Sequence, residues 1–404
     1  MKHTWQLTCV LISALLSVTT VTQAQTTLDA NPTGCVENYD PSVDYFPEKA
    51  AFIASENVSV EYSNHYKVVT VTDAFDGADL FSYVLVQCGT PAPDASQFPD
   101  GTQFVQVPVE RFIALATTQL PHLVELGRVD ALVGLGEFTF VNAPSIRERI
   151  AADELVEVGG GAEINIEAVL AAEPDVVMTF GFNPDTDAHP VLIDAGVFTA
   201  MNASWREATP LGRAEWIKYT ALLFNAEAAA AERYDEIAAA YEAAQQLAAS
   251  VPMDERPVVL WNYLSPFSDA WAIPGGQTYA GALIEDAGGT VALGDLATDD
   301  TARLSLEVVY EGALDADVWV VNGFGINTLD DLLASDERYA DFDAVQFGNV
   351  WNNNLDVNEN GGNNYFELGV TNPHLILQDL VAIFHPDLTP DHEFTFFQPL
   401  TPAD

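Results

Sequence analysis

From Thr102 onward, short apolar runs alternate with stretches whose apolar residues recur every three or four positions. That alternation predicts strands over 104–108, 131–135, 175–179 and 198–201, parted by helices over 119–126, 165–172 and 191–195. A helical stretch over 210–225 leads into a longer one over 226–250. There Tyr234, Ile237, Tyr241, Ala244 and Ala248 form one apolar stripe, while Glu232, Asp235, Glu236 and Glu242 decorate the rest. Asn225 is the predicted N-cap, Glu227 suits the positive end of the helix dipole, and Ser250-Val251-Pro252 ends the run. Beyond it the alternation resumes, with strands over 257–261 and 317–321 and helices over 279–287 and 304–311. Before residue 100 the pattern is instead β-rich, with strands over 58–62, 67–71 and 82–86 between polar turns.

The segments on either side of the long helix echo each other. Ile166-Glu-Ala-Val-Leu-Ala-Ala-Glu-Pro-Asp-Val-Val-Met-Thr-Phe-Gly181 parallels Leu306-Glu-Val-Val-Tyr-Glu-Gly-Ala-Leu-Asp-Ala-Asp-Val-Trp-Val-Val-Asn-Gly323. Each has a helix opened near a Glu, then Asp-Val, a buried strand and a Gly-containing loop. Leu123–Val129 and Leu283–Gly289 likewise end a helix with Gly before the next strand. The predicted fold is α/β: two similar lobes with mainly parallel sheets, joined by one long α-helix, plus a β-rich N-terminal extension. The boundaries read 1–24 signal peptide, 25–99 extension, 100–225 first lobe, 226–250 linker helix and 251–404 second lobe.

Composition sharpens this picture in two ways. A chain of 404 residues that is 49% hydrophobic has enough apolar surface to bury two packed lobes. Its 60 acidic residues against 14 basic ones give a formal charge of −46, which excludes a basic nucleic-acid or anionic-membrane surface. The acid surplus reads as surface solvation in a saline habitat, with steering of a cationic partner as the alternative. Met1 to Ala24 has the form of an export signal: Lys2, an apolar core too short to span a bilayer, and Thr22-Gln23-Ala24. With Cys9 removed alongside it, Cys35 and Cys88 form an even pair in an oxidising compartment, so a disulfide is expected there.

Three motifs in order carry a family resemblance. They are the run from Val107 to His122 (VPVERFIALATTQLPH), Ile164-Asn-Ile-Glu-Ala-Val-Leu with Glu173-Pro-Asp-Val-Val-Met, and Pro210-Leu-Gly-Arg-Ala-Glu-Trp-Ile-Lys218. Followed by a long helix, they resemble the iron-complex and cobalamin class of ABC-transporter substrate-binding proteins, over roughly residues 102–388. The extension before residue 100 lies outside that pattern. The resemblance implies a monomeric periplasmic protein without a cofactor of its own. Such a protein holds a ferric siderophore, haem or a corrinoid between its lobes and delivers it to an inner-membrane permease. One stiff connecting helix suits handover of a bulky, preformed chelate.

Ligands of parallel α/β lobes sit at the carboxyl ends of strands. The loops there nominate Thr118, Phe138, Phe140, Phe182 and Trp205 in the first lobe. In the second they nominate Tyr263, Trp271, Gln277, Tyr279, Phe324, Asn354 and Tyr365. Aromatic faces offer contact area to a planar chelate and amides orient its rim, although each aromatic taken singly is equally a core residue. Gln277 and Tyr279 stand out beside Gly275-Gly276, where backbone can approach a ligand. Arg213 reads as a structural group at a helix start, with a pair to Glu215 or a reach to a ligand carboxylate as alternatives. The resemblance also implies one acidic docking knob per lobe, for which Asp185 or Asp187 and Asp330 or Asp331 stand in the right places.

Other signals compete less well. Asp356, Asn358, Asn360 and Glu367, with Gly361 at the sixth position, match calcium-loop spacing, but no helix precedes them and Asn363 replaces an apolar residue. A ligand-facing Asn-rich loop is the preferred reading. His122 and His189, converging with a carboxylate, are the alternative basis for a bare Zn or Mn site. Neither a Gly-x-Ser-x-Gly elbow nor a phosphate-binding Gly loop occurs, so a secreted hydrolase ranks below a binding protein, and an adhesive surface protein below that.

Overall fold

The structure, a computed structural model, describes residues 28–265, 268–297 and 300–403; the expected export signal lies outside them. The N-terminal segment forms a four-stranded sheet of β1 (Val58–Tyr62), β2 (Tyr66–Val71), β3 (Phe81–Gln87) and β4 (Gln103–Val107), in that spatial order. The first three strands are antiparallel, and β4 runs parallel to β3 with Phe104 opposite Val84. The run over 104–108, which the alternation assigns to the first lobe, is therefore a strand of the extension's sheet. A disulfide joins Cys35 to Cys88 just past the end of β3.

The first lobe holds a parallel sheet of β5 (Phe112–Ala114), β6 (Leu132–Leu135), β7 (Val156–Glu157), β8 (Val176–Thr179) and β9 (Thr199–Met201), ordered β7-β6-β5-β8-β9. Its helices are α1 (Leu120–Glu125), α2 (Pro144–Ala151), α3 (Ile166–Ala171) and α4 (His189–Asp194). Two short helices, α5 (Pro210–Ala214) and α6 (Trp216–Leu222), lead into α7 (Glu227–Ala248). The second lobe holds β10 (Val258–Trp261), β11 (Trp271–Ile273), β12 (Thr290–Val291), β13 (Ala302–Leu304), β14 (Val318–Val320), β15 (Val350–Asn352) and β16 (Gln398–Pro399). Its main sheet runs β12-β10-β14-β15-β16, parallel except for β16, while β11 and β13 form an antiparallel ribbon. The helices there are α8 (Tyr279–Asp286), α9 (Leu306–Gly312), α10 (Leu329–Ser335), α11 (Asp343–Gln346) and α12 (Pro373–Phe384).

The two-lobed α/β arrangement read from the pattern is thus the one observed, and the echo has a topological meaning. β8 and β14, the repeated strands, each lie between the first strand of their lobe (β5 or β10) and a later one (β9 or β15). Gly127 and Gly288, which end α1 and α8, both take positive φ, as the repeated helix-Gly pattern requires.

Helix α7 rises about 33 Å at 1.5 Å per residue and passes from one core into the other. Tyr234 and Ile237 pack in the first-lobe core, whereas Tyr241, Ala244 and Ala248 pack in that of the second. Its start differs from the sequence reading. Ala226 is the N-cap and makes no side-chain cap bond, while Asn225 sits at φ 54°. The Asn225 side chain is used elsewhere: it donates to the Pro32 carbonyl and Gln87 Oε1, and accepts from Lys67 Nζ at 2.8 Å.

The extension shares one apolar core with the first lobe, Phe46, Val69 and Tyr83 packing in the same cluster as Phe112 and Trp216. Buried charge fixes the joint. Lys67 and Glu227, both without meaningful exposure, form an ion pair, and Lys67 also donates to the Leu222 carbonyl at 2.8 Å. Glu215, equally buried, accepts the amides of Ile53, Ala54 and Ser55 at 2.8–3.0 Å and pairs with Lys218. Glu207 accepts from the Glu56 and Asn57 amides and from Trp216 Nε1.

Removing one member of a buried pair strands the other charge. Lys67→Met is expected to lower unfolding stability by about 3–5 kcal/mol, with Lys67→Met/Glu227→Leu recovering part of the loss, as read from urea midpoints. A second expectation concerns His122, which is buried with Nδ1 2.9 Å from Thr220 Oγ1 and whose pKa burial pushes down to about 3. Unfolded chain binds a proton below the ordinary value of 6.5 that folded chain refuses until about 3, so this group costs stability as pH falls across that window. His122→Gln should flatten the decline by up to about 1.4 kcal/mol per pH unit, measured by urea titration between pH 6.5 and 3.

Candidate functional site

In each lobe the first strand connects to one side and the repeated strand to the other, so the chain reverses direction across the sheet between β5 and β8 and between β10 and β14. Crevices form at the carboxyl ends of such strand pairs. Cavities lie at both places. One of about 620 Å³ is lined by Leu115, Gly136, Glu137, Glu157 and Phe180. The other, of about 340 Å³, is lined by Asn262, Tyr263, Arg303, Asn322 and Phe324. One loop of the second lobe reaches across to the first: a Cβ at Gly362 would strike the Phe140 carbonyl, and one at Gly361 would lie 3.3 Å from the Phe324 ring.

That loop also clasps the lobes together. Glu367 accepts the amides of Asn142 and Ala143, at the start of α2, at 2.7 and 2.8 Å. Asn358 donates to the Val141 carbonyl at 3.1 Å, and Arg147 pairs with Glu359. Burial raises the Glu367 carboxyl above its ordinary range, and the two amides oppose that shift. On another side, Arg233 of α7 donates to Asn372 Oδ1 at 2.6 Å and pairs with Glu125 of the first lobe, which also accepts from Asn372.

Arg213 makes a third bridge. It donates to the Glu207 and Trp205 carbonyls at 3.0 Å, the structural use favoured from sequence, and its guanidinium lies 3.9 Å from the centre of the Tyr279 ring in the second lobe. Burial pushes the Tyr279 hydroxyl up to about 12, with Arg213 opposing. The Tyr279 hydroxyl and Trp205 Nε1 are both buried without a partner among the described residues.

The nominated residues separate into two groups. Phe182 is 59% exposed and stands 4.7 Å from the Trp205 ring, with Phe180 behind it, at the end of β8. Phe324 is 80% exposed, and with Tyr263 it walls the second-lobe cavity. Phe140 is exposed and lines a neighbouring first-lobe cavity of about 210 Å³, which shares Leu115, Gly136, Glu137 and Phe180 with the larger one, and Gln277 is exposed beside Gly276. Thr118 lies in the turn before α1, which packs against the segment Tyr365–Gly369. Phe138 is half-buried on the first-lobe core, and Asn354 donates to the Ile326 carbonyl and Asn327.

Several nominations need correction. Trp271 has no exposed surface: it enters β11 facing inward, stacks on Trp319 and donates to the Trp261 carbonyl. Tyr365 is buried against Phe396 and Phe397. Asp187 is no surface knob, because its carboxylate folds back onto the Phe182 and Asn183 amides. Asp331 is exposed but holds the capping box of α10, which lowers its pKa through Thr328 and Asn327. The calcium set does not converge, since Asn358 closes its own turn on Asn360 and Gly362 while Glu367 points to Asn142. His122 lies beside Thr220 and His189 against Phe75 and Phe81; no three His, Cys, Asp or Glu among the described residues gather as a metal site. Asn262, Asn322, Arg303, Glu137 and Phe180 are cavity residues that the sequence reading missed. A signal for the first two existed: within the second lobe an Asn closely follows both β10 and β14, each time at positive φ.

Residues 113–352 match the family described as Periplasmic binding protein. An uncharacterized lipoprotein of Methanocaldococcus jannaschii is 23% identical over 327 residues, covering 78% of this chain and 75% of that one. A cobalamin-binding protein of Halobacterium salinarum is 29% identical over 235 residues, 55% of this chain and 56% of its own. In fold, the chain is similar to a periplasmic haem-binding protein from Pseudomonas aeruginosa, with a TM-score of 0.54 and 19% identity over 73% of this chain and 100% of that one.

The clasp generates an expectation of its own. Glu367→Ala removes two charge-assisted bonds between lobes, so the Asn142 and Ala143 amides should exchange hydrogen roughly ten- to a hundred-fold faster. The radius of gyration in solution should rise in the same variant. Unchanged exchange at both amides would show that the clasp does not hold the lobes.

Proposed function

The chain belongs to the periplasmic binding protein family, and on that premise we propose that it captures an iron complex (ferric siderophore or haem) or cobalamin between its lobes and delivers it to the permease of an ABC importer. The observation that carries this reading is a pair of exposed phenylalanines in the loops after the repeated strands: Phe182 after β8, packed on the half-buried Trp205, and Phe324 after β14, beside Tyr263 in the second-lobe cavity. Aromatic side chains left in solvent at such crevices supply the contact area that a broad, partly apolar chelate needs. The cobalamin-binding relative from Halobacterium salinarum supports the same ligand class. The family and the lipoprotein relative support an extracytoplasmic location.

Three bridges between the lobes and a single helix through both cores favour small closure motions, which suits a ligand delivered whole. For the permease, Asp185 and Asp330 are the acidic candidates that remain; both are exposed, and Asp330 accepts the Ala403 amide. A bare-ion carrier is the weaker reading, because the described residues gather no ligand set of three.

Titration of the mature protein with a ferric hydroxamate, a ferric catecholate, haemin, cyanocobalamin and Zn²⁺, followed by tryptophan fluorescence, tests the proposal. One organic chelate should bind saturably, and Phe182→Ala or Phe324→Ala should each weaken it by about ten-fold. Response to Zn²⁺ alone, or turnover of any of these compounds, would overturn it.

A further inference from the structure

The two cavity walls differ in charge in a way the overall composition does not foretell. With 60 acidic residues in the chain, a cavity free of them is unusual. Yet the second-lobe cavity has no carboxylate among the described residues that line it, and it presents Arg303. Most basic side chains here meet an acid, Lys67 with Glu227, Arg147 with Glu359 and Arg233 with Glu125 among them. Arg303 does not. It projects from β13, paired in register with Ala272 of β11, is exposed, and has no hydrogen bond or ion pair with any described residue.

Its neighbours add directionality. Asn262 is committed, donating to the Ala272 carbonyl at 2.7 Å. Asn322 donates to Asn262 Oδ1, and its own Oδ1 is buried without a partner among the described residues, an acceptor left for a ligand donor. The first-lobe cavity is the opposite case: Glu137, Glu157 and Glu163 line it, with no basic residue among the described lining.

Resting on the function proposed above, we propose that the cleft reads the charge polarity of its ligand. Arg303 binds an anionic edge, such as a carboxylate, while the first-lobe carboxylates admit only a neutral or cationic edge. The preferred ligand is then an aromatic or macrocyclic chelate with its acidic groups on one side. A chelate charged negatively all round would meet Arg303 with one face and three glutamates with the other. Geometry favours a guanidinium in this role, since its fork matches a carboxylate with two parallel bonds.

Haemin, with both carboxylates on one edge, and its dimethyl ester, which keeps the macrocycle and loses those charges, form a matched probe pair. The wild-type mature protein should bind haemin roughly ten- to a hundred-fold more tightly than the ester. Arg303→Ala should abolish the difference, Arg303→Lys should restore part of it, and Glu137→Gln should relax rejection of a trianionic ferric tris-catecholate. Unfolding midpoints equal to wild type would show the exposed Arg303 variants to be folded. An unchanged haemin-to-ester ratio in Arg303→Ala overturns the inference. So does preference for neutral cyanocobalamin or for the tris-catecholate over haemin, either of which leaves the proposed function standing. Binding of no chelate at all would overturn both.

Discussion

A fully buried ammonium needs every one of its donors answered, and Lys67 meets that demand where three parts of the chain join. Its partners are the Glu227 carboxylate in the first turn of α7, the Leu222 carbonyl that ends α6, and Asn225 between them. Because Lys67 itself belongs to β2, the extension's sheet cannot shift without exposing an unpaired charge to an apolar interior, here the face of Phe46 4.6 Å away. Glu215 and Glu207 repeat the device on the neighbouring segment, where buried carboxylates gather the amides of residues 53–57. The extension is therefore part of the first lobe's body, and the start of α7 is fixed in direction by charge as well as by packing.

A helix fixed at one end in this way transmits that orientation to the other lobe, since Tyr241, Ala244 and Ala248 belong to the second core. The remaining freedom, a rocking of the lobes about α7, is restrained by bonds that reach across the opening. Glu367 caps a first-lobe helix from the second lobe, and Arg233 ties Glu125 to Asn372 from the helix between them. A cleft shaped before its ligand arrives loses less conformational freedom on binding, at the cost of fitting fewer shapes.

Much of this architecture was legible in the sequence because it rests on periodicity. The stripe on α7 and the repeated helix-strand units each extend over enough residues for their spacing to declare them, and both occur as read. The central strand β5 escaped notice because three residues, Phe112–Ala114, are too few to show a period of two. The strand at 103–107 was visible as a strand but not as a member of a particular sheet, because pairing is a property of distant chain. The site was less legible still. Placing an aromatic after a strand does not say which way it turns, and Trp271 and Tyr365 turned inward whereas Phe182 and Phe324 did not. Asp187 looked like a free surface acid, but a short loop lets a carboxylate close on amides of its own chain.

The charge of the chain invites a reading in which its acidity repels any anionic ligand, and screening argues against that reading. At physiological salt an exposed charge is felt over about 8 Å, so carboxylates on the outer faces of the lobes contribute little inside the cleft. What a bound group experiences is set by the handful of side chains within that distance, and these are distributed unevenly. Three glutamates line one cavity, and Arg303, without a partner among the described residues, lines the other. A net charge of −46 and a locally basic binding surface are therefore compatible, and the sign of the ligand's contacts follows from the wall it faces rather than from the total.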